Sequence, residues 1–105
     1  MEDIQLSFYF EEDKIEIIKA IQTYPEHRFN KIYSAIFGRT AAYCSTSQIT
    51  FIEKNTELDQ EWLKKYSVDT FPTTLFFKNN ILKTRIIGIL PQIKIMNILE
   101  VVKYL

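Results

Sequence analysis

Few side chains in this 105-residue sequence can do chemistry, and those few do not cluster. Cys44 is the only cysteine and His27 the only histidine. One thiol closes no intramolecular disulfide, and one imidazole gives no ligand set for zinc or iron, so no metal and no cofactor is expected. A lone thiol in the polar run RTAAYCSTSQ can still form a mixed disulfide or sense oxidation if it is exposed, whereas a buried, inert cysteine is the plainer reading. Asp13 and Glu16 form a second spacing of interest. Two carboxylates three residues apart share acid–base work only in a desolvated cleft that raises one pKa. At a helix start the same spacing is a capping box, in which Asp13 accepts from an amide three residues on and Glu16 reaches back to the N–H of the cap. The capping role is the expected one. The third feature is Phe71-Pro72-Thr73, immediately before a β-rich run. A proline has no N–H and adopts the cis form at modest cost, so it can force a sharp turn that leaves neighbouring backbone free to pair with an incoming peptide.

These residues need a scaffold, and the composition supports one domain over residues 1–105. With 47% apolar and 14% aromatic residues, the chain can build a single core. Thirteen basic and thirteen acidic residues cancel, which leaves no net field for nucleic acid or an anionic membrane surface. The first twenty residues carry charges throughout, so neither a secretory leader nor a membrane span is expected, and a cytoplasmic location follows.

The aromatic-rich run from Ile4 to Phe10 predicts a first strand. Ile15, Ile18 and Ile21, with Ile17 and Ala20 beside them, fall at helical spacing from Lys14 to the Tyr24-Pro25 break. Phe29, Ile32, Tyr33, Ile36 and Phe37 predict a second helix that Gly38 closes, with a loop from Arg39 to Gln48. Ile49 to Lys54 is strand two, and Asn55-Thr56 is placed to cap a helix carrying Leu58, Trp62, Leu63 and Tyr66. Thr73 to Lys78 and Ile81 to Ile87 are strands three and four, joined by Asn79-Asn80, which tolerate the positive φ of a tight hairpin. Pro91 opens a last helix whose apolar face holds Ile95, Ile98, Leu99, Val102 and Leu105.

From strand two onward the sequence resembles thioredoxin. The residues that carry the likeness are Trp62-Leu63-Lys64-Lys65-Tyr66-Ser67-Val68, then Phe71-Pro72-Thr73, Phe76-Phe77-Lys78-Asn79 and Gly88. The resemblance implies an α/β, thioredoxin-like fold: a four-stranded mixed sheet with helices on both faces, here with an extra helical insertion between strands one and two, from Pro25 to Gln48. It implies a cis bond at Pro72 and a peptide-binding turn at Phe71, Pro72 and Thr73. Laying the family's central strand on Phe8-Tyr9-Phe10 puts its Cys-x-x-Cys position at Asp13-Lys14-Ile15-Glu16, where both cysteines are missing. Without a thiolate there is no mixed disulfide, so dithiol exchange is excluded at that position. Cys44-Ser45-Thr46-Ser47 is similar to the Cys-x-x-Ser of monothiol glutaredoxins, but it lies too close to strand two to open a helix after the central strand. The family's leading β-α unit has no room before Ile4, which leaves strand two as an exposed edge open to a partner strand or a homodimer. The expected function is therefore a redox-inactive binding or adaptor module with a protein or peptide partner. The alternatives are a single-cysteine oxidoreductase or redox sensor using Cys44, and a glutathione-binding module without chemistry.

Overall fold

Isoleucine decides the centre of the sheet. In the computed structural model, which describes residues 13–105, β1 is Ile15–Ile21 (IEIIKAI), a strand buried along almost its whole length. It pairs in parallel with β2 (Ile49–Asn55) and antiparallel with β3 (Thr73–Lys78), and β3 pairs antiparallel with β4 (Ile81–Ile87). The order is β2-β1-β3-β4, a four-stranded mixed sheet. Among the described residues three helices flank it: α1 (Asn30–Cys44), α2 (Gln60–Lys65) and α3 (Gln92–Val102).

The two faces of the sheet follow from strand alternation. Ile15 and Ile17 of β1 and Phe76 of β3 point to one side, where Tyr33 and Phe37 of α1 and Ile95, Leu99 and Val102 of α3 close a core. Ile18, Ala20, Leu75 and Phe77 point to the other, where Leu63 and the half-buried Trp62 and Tyr66 cover them. Helices thus lie on both faces. A central strand sandwiched in this way is apolar on both sides, so β-branched isoleucine suits it at nearly every position.

This corrects the reading of residues 14–24 as a helix. Ile15, Ile18 and Ile21 satisfy helical spacing only because the whole segment is apolar. No capping box forms at Asp13 and Glu16, since a strand begins there. The strand expected from Ile4 to Phe10 lies outside the described residues. With β1 at Ile15–Ile21, one helix spans the connection to β2, and the extra helical length expected between Pro25 and Gln48 is that crossover helix itself. Gly38 does not end it. α1 runs on to Cys44, and a Cβ at position 38 would meet no atom within 4 Å, so the glycine costs helix propensity without serving a turn or a close approach.

The second half follows the sequence closely. Asn79 and Asn80 take positive φ of 53° and 69° in the β3–β4 hairpin. Asn55 ends β2 rather than capping α2; its Oδ1 accepts from the amides of Glu57 and Leu58, and Asp59 precedes the helix. Leu58 is exposed, so the α2 face is narrower than expected, and Leu105 likewise lies exposed beyond the end of α3. Among the described residues β2 and β4 are the edges of the sheet, and no described helix is long and apolar enough to cross a membrane.

Candidate functional site

The Phe71-Pro72-Thr73 turn enters β3 beside the C-terminal end of β1, because Ala20 is the register partner of Thr73. The Phe71–Pro72 peptide bond is cis. Pro72 is buried, and its carbonyl accepts from the N–H of Gly88 at 2.8 Å, a position where φ of 103° favours glycine. Thr73 is buried too, and its hydroxyl donates to the carbonyl of Thr70. Phe71 is half-buried against the α2 side of the core. Among the described residues neither its N–H nor its C=O takes a hydrogen bond. The turn is thus held rigidly from both sides while one backbone unit keeps its pairing capacity.

The loop from β1 to α1 lies at the same end of the sheet. Its backbone is tied down at several points: Gln22 Nε2 donates to the carbonyl of Pro25 at 2.7 Å, and Asn30 Nδ2 donates to the carbonyl of Gln22 at 2.7 Å. The amide of Thr23 donates to Thr56 Oγ1 at 3.0 Å, and the Phe29 amide donates to His27 Nδ1 at 3.2 Å. His27 therefore shapes a turn, and the Arg28 guanidinium lies over the Phe29 ring. Tyr24, Pro25, Glu26 and Arg28 are exposed on this rim.

The other singled-out residues lie elsewhere. Asp13, Lys14, Ile15 and Glu16 stand at the start of β1, and six strand steps of about 3.3 Å put them roughly 20 Å from its far end. Asp13 is buried there, accepting from Asn79 Nδ2 at 3.1 Å and pairing with Lys78 at 3.8 Å. Asn79 also exchanges bonds with the backbone of Lys14, at 2.8 Å through its Oδ1 and 2.7 Å through its N–H, so this group locks the hairpin to β1. The assignment of the Cys-x-x-Cys position to Asp13-Lys14-Ile15-Glu16 is corrected accordingly: these residues open the central strand instead of following it. Cys44 is the last residue of α1, fourteen helical steps of 1.5 Å, about 21 Å, from Asn30 at the helix start. It is half-buried against the core shared by α1 and α3. The structure therefore does not bring Cys44 together with the Pro72 turn.

The burial of Lys19 and the bond made by the Tyr33 hydroxyl were not foreseen. Lys19, on the central strand, is 3% exposed; its Nζ donates to Ser34 Oγ at 2.7 Å, pairs with Glu53 at 3.2 Å and lies 5.3 Å from the centre of the Phe37 ring. Tyr33 is fully buried and bonds through its hydroxyl to Thr74 Oγ1. Burial pushes the Tyr33 phenol up, and the bonds to Thr74 and the backbone of Leu90 pull against that. A lysine inside an isoleucine-rich run was the available signal for the first, but its partner Glu53 is set by β1–β2 register.

No protein-family model and no curated protein sequence matches the chain. Solved structures do. The malaria-parasite thioredoxin-2, described as a component of the parasite's protein secretion machinery, superposes with a TM-score of 0.75 at 12% identity, over 87% of this chain and 85% of that one. The germline-specific thioredoxin Deadhead of Drosophila melanogaster gives 0.72 at 19% identity, over 85% and 81%. Oxidised thioredoxin of Plasmodium falciparum gives 0.69 at 13%, over 86% and 82%. Together with the β2-β1-β3-β4 sheet, these likenesses show that the chain has the thioredoxin-like fold, with a single cysteine and hence no Cys-x-x-Cys.

Proposed function

We propose that this protein is a binding module of the thioredoxin-like fold that docks an extended peptide segment on the Phe71-Pro72-Thr73 turn and performs no dithiol–disulfide exchange. The observation that carries the reading is the separation of the two ingredients. The turn has an unspent backbone unit at Phe71, while the one thiol lies at the far end of α1. An extended peptide laid along the turn would exchange backbone hydrogen bonds with Phe71 in the manner of strand addition. The exposed rim of Tyr24, Pro25 and Arg28 would supply side-chain contacts. Cytoplasmic placement, where thiols stay reduced, belongs to this proposal.

The test is a screen of the full chain against extended peptides, with binders followed by backbone NMR. Saturable shifts centred on Phe71, Thr73 and Gly88 are expected. Binders whose shifts map to β2 or to Cys44 and leave the turn unmoved would overturn the assignment.

A further inference from the structure

We infer that an apolar groove between β4 and α3 is a docking site for this chain's own residues 1–12, which precede the described ones. α3 carries two apolar stripes about 100° apart around its axis. Ile95, Leu99 and Val102 form the first and are spent on the core. Ile98 and Val101, continued by Leu105 past the helix end, form the second. With Thr84 and Ile86 of β4 they line a groove of about 620 Å³. Val101 and Leu105 are 60% and 59% exposed there. A second aliphatic stripe facing water beside an edge strand is the mark of a contact surface, since covering it removes apolar area from solvent.

Three features of the chain fit residues 1–12 to this groove. The first is position. The Lys78 ammonium lies 3.8 Å from the Asp13 carboxylate and donates to the Lys103 carbonyl at 2.7 Å. Residue 13 therefore stands beside the last turn of α3, at the Leu105 end of the groove. The second is apolar content at a matching length. Ile4, Leu6, Phe8 and Phe10 are apolar at every second position. The run from Ile4 to Phe10 reaches at most about 20 Å, against about 16 Å for the eleven residues of α3. Glu11 and Glu12 remain to join it to Asp13. The third is charge. A run that leaves Asp13 at the Leu105 end and follows the groove brings Glu2 and Asp3 to the other end, where Lys94 lines the wall near the positive N-terminus of α3. The inference does not rest on peptide docking at the Pro72 turn.

The experiment measures nuclear Overhauser contacts in the full chain, with labelled isoleucine, leucine and valine methyl groups and protonated phenylalanine rings. Contacts from the Phe8 and Phe10 rings to the methyls of Ile98, Val101 and Leu105 are expected, and they should persist on dilution. A mixture of methyl-labelled copies carrying deuterated phenylalanine with unlabelled copies should show none of them. Val101→Glu, at an exposed position outside the core, should weaken docking about tenfold, and Lys94→Glu about threefold. Both are read as loss of the contacts and as movement of the Phe8 and Phe10 amide shifts toward those of an isolated peptide of residues 1–12. Contacts that appear in the mixture would give the groove to a second copy and overturn the inference. Contacts to Ile49 or Ile52 of β2 instead, no contacts at all, or shifts that Val101→Glu leaves unmoved would overturn it as well.

Discussion

Removing the Glu53 carboxylate should destabilise the protein more than removing the lysine it serves. Lys19 places an ammonium in the central strand with 3% exposure, held by Ser34 at 2.7 Å and Glu53 at 3.2 Å. Glu53→Ala leaves that charge buried with no carboxylate, only the Ser34 hydroxyl and the Phe37 ring. Loss of one partner of a fully buried pair costs about 3–5 kcal/mol, but Glu53 is nearly half exposed, which brings the expected loss down to about 1–3 kcal/mol. Lys19→Met removes the charge together with the demand for a partner and keeps most of the volume between Phe37 and the sheet. It should lie within about 1 kcal/mol of the parent, or above it. For a domain of this size each 1 kcal/mol moves the melting point by about 4–8 °C. Guanidinium denaturation followed by circular dichroism measures both variants, with the slope checked for constancy. A Glu53→Ala midpoint equal to the parent's, or a Lys19→Met loss larger than that of Glu53→Ala, would refute the view that the ammonium is held by this pair in a water-poor site.

Gly38→Ala should raise stability by about 0.5–1 kcal/mol, because the position is mid-helix with open space for a Cβ; a lower melting temperature would mean that α1 is broken at that point. Tyr33→Phe should cost about 1–3 kcal/mol by leaving the buried Thr74 hydroxyl unpaired, and the double variant Tyr33→Phe with Thr74→Val should recover part of it in the same melts. The Tyr33 phenol is raised in the folded state and ordinary in the unfolded one, so its contribution is whole below about pH 10 and is lost as pH rises through the folded value. Alkaline melts should therefore fall more steeply above pH 10 for the parent than for Tyr33→Phe.

The C-terminal half of the fold was legible because each element there carries a local signal. Thr73–Lys78 and Ile81–Ile87 are bounded by Pro72, the asparagine pair and Gly88, and α3 starts behind Pro91. β1 was not legible, for a physical reason. A strand covered on both faces has no alternation to display, and IEIIKAI fits a helix stripe as well as it fits a buried strand. That one ambiguity moved the central strand, and with it the expected motif position and the supposed insertion. Gly38 misled for a related reason: a glycine stops a helix only where the chain needs positive φ, and here it does not. Of the site, the Pro72 turn could be read from sequence, since proline acts locally. The Lys19–Glu53 pair depends on register, which spacing alone does not give.

Docking without dithiol exchange is open to one decisive assay, turnover of a peptide disulfide in excess reductant, comparing the parent with Cys44→Ser. Neither protein should raise the rate above that of the reductant alone. Multiple turnovers by the parent that vanish in Cys44→Ser would contradict it and make the half-buried thiol at the end of α1 the working group.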